Sequence, residues 1–216
     1  MGYCDAWAMQ EEAHAQVLAG GEERILFVEH PPVITFGRRP GVDRHLVASD
    51  EELSKLGVEV VQSDRGGDIT FHGPGQLVAY PIIRLNNHRL SVGAYVHGLE
   101  RAVIRTLADF GIEAHVDRSA VGVWTKCAGR DAKICAIGVR IKRGVSLHGL
   151  ALNIETDLQY FDLIVPCGLA GRAVTSMRET LRGATPAIEK VREVLAARLS
   201  ELANCSPIQS SSSLPA

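Results

Sequence analysis

From Arg65 to Gln76 the chain reads Arg-Gly-Gly-Asp-Ile-Thr-Phe-His-Gly-Pro-Gly-Gln. Paired glycines and a Gly-Pro-Gly turn permit backbone conformations and close approaches that other residues resist. Between them, Ile69 and Phe71 alternate with Thr70 and His72 in the manner of a short strand. Regular sheet does not tolerate so many breakers, and a spacer has no need of the alternation. The run predicts a short strand built into a binding cradle, with a glycine-turn hairpin as the plainer alternative.

The flanking sequence sets what surrounds the cradle. A helix over Asp5 to Leu18 stops at Gly20-Gly21, and strands follow at Ile25 to Glu29 and Val33 to Phe36, parted by Pro31-Pro32. A short helix is expected over Asp50 to Leu56. The strand Val58 to Gln62 leads into the cradle and Leu77 to Ile83 leaves it, with Pro81 marking an edge or a strand end. Ser91 to Phe110 places Tyr95, Leu99, Ala102, Val103 and Leu107 on one helical face, with Gly111 as its cap. Three strands follow at Val121 to Thr125, Lys133 to Lys142 and Val145 to Ile154, the last two joined at Arg143-Gly144. Ser176 and Glu179 have capping-box spacing for a helix ending near Gly183, and Ala187 to Leu202 is amphipathic. Residues 204–216, with serines at 210–213, read as a disordered tail. Helices and strands do not alternate strictly. The pattern therefore predicts one α/β domain of the α+β type over residues 1–203, its mixed or antiparallel sheet flanked by helices.

The charge balance of 23 Lys and Arg against 25 Asp and Glu gives −2, which implies no nucleic-acid partner. No apolar run nears the roughly 20 residues that span a bilayer, and no secretory signal opens the chain, so no membrane partner is expected. The five cysteines, Cys4, Cys127, Cys135, Cys167 and Cys205, are odd in number and form no Cys-x-x-Cys pair. A reducing cytoplasm follows better than a disulfide framework.

Cys167 sits between Pro166 and Gly168, which favours a thiol displayed on a turn; a buried small hydrophobe is the plainer reading. Lys133 opens the apolar strand Lys133-Ile134-Cys135-Ala136-Ile137-Gly138, where burial would depress its pKa, unless it snorkels to water. His148 and His72 are each a candidate base beside Cys167 or a structural histidine. Cys127, Cys135, His148 and Cys167 lack ligand-pair spacing, so no metal is expected. Neither phosphate-binding glycine pattern occurs, and no cofactor is expected. Arg38-Arg39 and Lys142-Arg143 are small basic patches, either solvated or facing an acidic protein.

Four motifs occur in order: Arg65 to Gln76, Lys133-Ile134 with Ala136-Ile137-Gly138, His148-Gly149-Leu150-Ala151-Leu152-Asn153, and Pro166-Cys167-Gly168. Together they resemble the lipoyl(octanoyl) transferases over about residues 3 to 182. The resemblance implies the fold of biotin and lipoate ligase catalytic domains, acting as a monomer in the cytoplasm. It implies transfer of octanoyl from octanoyl-acyl carrier protein to a lysine of a lipoyl domain. The acceptors are the lipoyl domains of 2-oxoacid dehydrogenase E2 subunits and the glycine cleavage H protein. Cys167 is then the acyl acceptor and Lys133 the partner that lowers its pKa. Arg65, Gly66, Gly67, Asp68, Ile69, Thr70, Phe71, His72, Ala136, Ile137, Gly138, Gly149, Leu150 and Ala151 line the acyl site, with His148 in support. The alternatives are an ATP-dependent lipoate-protein ligase, a non-catalytic acyl- or lipoyl-domain-binding module, and a Cys/His hydrolase.

Overall fold

The computed structural model describes residues 1–165, 172–183 and 185–204. Cys167 and the proposed tail beyond Asn204 lie outside the described residues.

Helix α1 (Tyr3–Leu18) buries Tyr3, Ala6, Gln10, Ala13, His14 and Val17, a stripe at helical spacing. Strands β1 (Arg24–Val28) and β2 (Val33–Phe36) follow, then α2 (Asp50–Leu56), which Ser49 caps by accepting from the Glu52 N–H. Strands β3 (Glu59–Gln62) and β4 (Thr70–His72) pair with opposite edges of β2, giving a three-stranded sheet of order β3-β2-β4. The predicted strand within the cradle is β4.

The larger sheet collects β5 (Gln76–Ile82), then, after α3 (Val92–Asp109), β6 (Ala114–Asp117), β7 (Ala120–Cys127), β8 (Arg130–Lys142) and β9 (Val145–Asn153). Its order is β1-β5-β9-β8-β7-β6, and every neighbouring pair in that path is antiparallel. The two-residue β10 (Ala173–Val174) adds parallel to β8. The predicted turn at Arg143-Gly144 joins β8 to β9 with φ of 55° and 81°, the left-handed geometry of a two-residue hairpin. Helix α4 (Met177–Thr180) opens on Ser176, whose Oγ accepts from the Glu179 N–H, and α5 (Ile188–Ser200) runs into a 3₁₀ turn at Glu201–Asn204 that ends the described chain.

One sheet face packs on α3 and α5, burying Leu99, Val103, Leu107, Val191, Leu195 and Leu199 against Cys135, Leu150 and Leu152. The other face carries α1, whose Ala6, Ala13 and Val17 meet Val78, Tyr80, Ile82 and Leu147. Ile34 and Phe71 of the small sheet, with Ile69 just before β4, pack with Leu53 of α2 and with Phe161.

Strand β5 is interior, which corrects the edge reading that Pro81 suggested. The residue-by-residue pairing of β5 with β9 stops at Ala79↔Leu150. Pro81 stands one residue from the strand end, past the last β5–β9 pair, while the pairing with β1 runs on through Ile25↔Pro81. Its carbonyl still accepts from Ser146 Oγ at 2.7 Å. Strands β6 and β10 were not legible in the sequence, because both are short and half-exposed and their partners are set by tertiary pairing.

Candidate active site

Strands β8 and β9 pair residue by residue, with Ala136 opposite Ala151 and Gly138 opposite Gly149. Side chains alternate across a sheet, so these four small residues share the face turned away from α3 and α5. They floor a cavity of about 500 Å³. Val78 and Tyr80 of β5 extend the floor, Arg65 and Gly67 to Thr70 form a wall, and Lys133 stands at the side with Ser119 to Val121.

The glycines do more than leave space. A Cβ on Gly149 would lie 2.1 Å from the Ala79 carbonyl oxygen, and one on Gly138 would lie 2.7 Å from that of Gly66. Backbone is what would collide, and it cannot rotate aside. Gly138 thereby lets the cradle settle on the sheet, and the Gly66 N–H then donates to the Val139 carbonyl at 3.0 Å.

Arg65 fastens the other side of the cradle. Its Nη2 donates to the Thr35 carbonyl at 2.6 Å and to Thr35 Oγ1 at 2.9 Å, and its Nε donates to the same hydroxyl at 3.1 Å. Asp68 accepts from the Ile69 N–H and from His45 Nδ1, both at 2.7 Å, and from Arg39 at 3.3 Å. Burial pushes the Asp68 carboxyl up, but those hydrogen bonds outweigh it and hold the group below the usual carboxylate range.

The histidines are locked by their neighbours. Gln76 Nε2 donates to the Phe71 carbonyl and to Asn153 Oδ1, so Gln76 Oε1 is the atom facing His72 Nδ1 at 2.7 Å. Nδ1 therefore carries the proton. Thr35 Oγ1, already accepting from Arg65, can donate to His72 Nε2 at 3.4 Å. Burial first, then the charges of His30 and Arg65, push the His72 pKa down to about 3. Tyr3 stacks on this neutral ring with 5.9 Å between centroids.

His148 belongs to a separate group. Its Nε2 lies 2.6 Å from Asp64, which also binds Arg140. Burial first, then the charges of Arg65 and Arg140, push the His148 pKa down to about 3. His148 takes a φ of 57° in β9, and its N–H donates to Gln10 of α1 instead of to a strand.

Lys133 is 7% exposed. Its Nζ donates to the Val121 carbonyl at 3.1 Å and lies 4.9 Å from the centroid of the Trp124 ring, a cation–π contact. Arg172 covers the same indole at 4.6 Å and pairs with Asp117. Cys135, two residues on, enters the opposite core, where burial pushes its thiol up to about 12.

Fourteen residues singled out from the sequence thus meet at one cavity: Lys133, His148, Arg65, Gly67, Asp68, Ile69, Thr70, His72, Ala136, Ile137, Gly138, Gly149, Leu150 and Ala151. Gly66 and Phe71 do not line it. Gly66 is a backbone contact, and Phe71 is buried against Tyr160, the two rings stacked at 4.7 Å. Sequence reasoning missed Tyr3, Tyr80 and Val78 as lining residues, since nothing local marks them. The Arg38-Arg39 pair was visible, but not its place at this cavity. Among the described residues no group of three His, Cys, Asp or Glu side chains could hold a metal ion, and no helix is long and apolar enough to cross a membrane.

Residues 2–200 match the family model of the lipoyl protein ligase A/B catalytic domain. An octanoyltransferase of Chloroflexus aurantiacus is 48% identical over 204 residues, covering 94% of this chain and 90% of the relative. One from Bacteroides thetaiotaomicron is 45% identical over 210 residues, covering 94% and 91%. A solved lipoate-protein ligase A bound with ATP superposes with a TM-score of 0.71 at 18% identity, over 90% of this chain and 80% of that one. A biotin protein ligase of Aquifex aeolicus, in complex with biotin and ATP, gives 0.51 at 14% identity, over 80% and 70%. At such identities these two likenesses concern the fold alone.

Proposed function

This chain belongs to the lipoyl protein ligase A/B catalytic-domain family and within it to the octanoyltransferases, and on that premise we propose that it draws octanoyl from octanoyl-acyl carrier protein, carries it as a thioester on Cys167, and delivers it to a lysine of a lipoyl domain. The observation that carries this reading is the cavity itself. A buried lysine stands beside a floor of paired Ala and Gly residues, in a space of about 500 Å³. That volume falls among ordinary ligand pockets. Burying six methylenes of an octanoyl chain there stabilises the complex by about 5 kcal/mol.

The chemistry closes on itself. Lys133 takes the proton of Cys167, and the thiolate attacks the donor thioester. The new carbon–sulfur bond forms as the old one breaks, and the departing carrier thiolate recovers the proton from Lys133. The acceptor amine then attacks acyl-Cys167 and yields its proton to Lys133. Cys167 leaves as thiolate, restoring the thiolate–ammonium pair. Arg65, Gly67 to Thr70, His72, Ala136 to Gly138 and Gly149 to Ala151 enclose the acyl chain. His72 and His148 are neutral and held by other partners, which suits a lining role better than that of a base beside Cys167.

The acceptors are the lipoyl domains of 2-oxoacid dehydrogenase E2 subunits and the glycine cleavage H protein. Residues 1–203 form the catalytic domain and work as a monomer. The cytoplasm is the compartment, consistent with free thiols at Cys4, Cys127 and Cys135.

The test is intact-mass analysis after mixing with octanoyl-acyl carrier protein, without ATP or magnesium. One octanoyl adduct is expected on the native chain and none on Cys167→Ala. The same labile adduct on Cys167→Ala sinks the nucleophile assignment, and an absolute need for ATP favours a ligase.

A further inference from the structure

We propose that Arg38 and Arg39 form an anion-binding rim for the phosphate of the donor's 4′-phosphopantetheine arm, an inference that rests on the acyl-transfer reading above. Both side chains are exposed and both line the cavity, so they stand where it meets solvent. Their backbone is laced to the cradle: the Arg38 N–H donates to the Arg65 carbonyl at 3.0 Å, and that of Arg39 to the Gly67 carbonyl at 3.1 Å. The pair is therefore fixed relative to the acyl site.

The rim carries positive charge. Arg39 pairs with Asp68, whose other oxygen is engaged by His45 and by the Ile69 N–H. Arg38 forms no ion pair among the described residues and adds a second guanidinium to the rim. The chain as a whole is at −2, so this is a local arrangement and not bulk composition. The transfer chemistry itself uses neither residue. Guanidinium forks suit phosphate oxygens, which accept two parallel N–H bonds. When the acyl group enters the cavity, the arm behind it offers neutral amides first. Its phosphate is the first anion, and it is costly to desolvate, so it belongs at the aqueous mouth.

The experiment compares three donors: S-octanoyl-pantetheine, S-octanoyl-4′-phosphopantetheine and the octanoyl-carrier protein. The native chain should favour the phosphorylated small donor over the unphosphorylated one by roughly tenfold in kcat/KM, the worth of one charge-assisted contact. The double variant Arg38→Ala/Arg39→Ala should bring that ratio to about one, whereas Arg38→Lys/Arg39→Lys should keep most of it, because charge persists without the fork. Added salt should shrink the native ratio. Equal use of both small donors by the native chain overturns the proposal. A defect in the Ala variant confined to the carrier-bound donor also overturns it, and points to the carrier's acidic surface instead. Failure of the folded native chain to transfer from any donor would sink the acyl-transfer reading itself.

Discussion

The two faces of strands β8 and β9 divide the labour of the molecule. On one face Cys135, Leu150 and Leu152 interdigitate with α3 and α5 in a dry core. On the other, Ala136, Gly138, Gly149 and Ala151 withdraw their bulk and leave a cavity beside Lys133. The difference follows from a period of two along each strand, so adjacent residues answer to unlike demands. Cys135 shows the contrast most sharply. It lies two positions from Lys133, a spacing that alone would put both on one face. The register shift opposite Val123 and Trp124 turns Cys135 into the core, where burial lifts its thiol to about 12 and leaves it inert at neutral pH.

That division can be broken from either side. The largest effect is expected at Lys133. Lys133→Ala should cut octanoyl transfer by about 10²-fold or more while costing about 1–3 kcal/mol of stability, since it loses the hydrogen bond to Val121 and the contact with the Trp124 ring. A stopped assay paired with chemical denaturation separates the two quantities, and full activity would remove Lys133 from the chemistry. Leu152→Ala should do the reverse: about 2–5 kcal/mol of stability lost in urea titrations, with kcat largely kept in the folded fraction. If Leu152→Ala lost transfer at native stability, the two faces would not be independent.

Gly149→Ala sits between these extremes, because its Cβ would strike the Ala79 carbonyl at 2.1 Å. Separation of β5 from β9 should cost about 1–3 kcal/mol and raise KM as the floor deforms. An unperturbed melting curve would contradict that close approach.

Acidification tests the polar side alone. His72 titrates near 3 in the fold and near 6.5 when unfolded, so the unfolded chain binds more protons between those values. Stability attributable to its neutral form is complete above about pH 6.5 and is lost as pH falls toward 3. Melting temperature should therefore drop across that window, and His72→Asn should flatten part of the drop. A His72→Asn profile parallel to the native one would show that the group is not held neutral. The smallest effect concerns Cys135, which should resist alkylation in the native chain while exposed Cys4 reacts.

Much of the site was readable because its parts lie on contiguous runs. Arg65 to His72 and Ala136 to Gly138 are each a local pattern, and pattern survives without coordinates. Gly66 and Phe71 show the cost of treating a run as uniform. Both lie within the cradle, yet one meets Val139 backbone and the other a ring stack with Tyr160. Tyr3, Tyr80 and Val78 reach the cavity only because α1 packs on β5 and sets Tyr3 against His72 of β4. Nothing in their own neighbourhoods distinguishes them from ordinary core residues.

The sequence by itself determined the helix and hairpin signals, the α+β class and the family, all of which depend on short-range spacing or on motif order. Tertiary structure decided which strand would be interior despite Pro81, which Gly would carry a backbone contact, and which histidines would be neutral. Those outcomes turn on pairing register and on burial among residues tens of positions apart, such as Thr35 with His72 and Asp64 with His148. Hydrogen-bond partners and desolvation are properties of such meetings, and no single stretch of chain contains them.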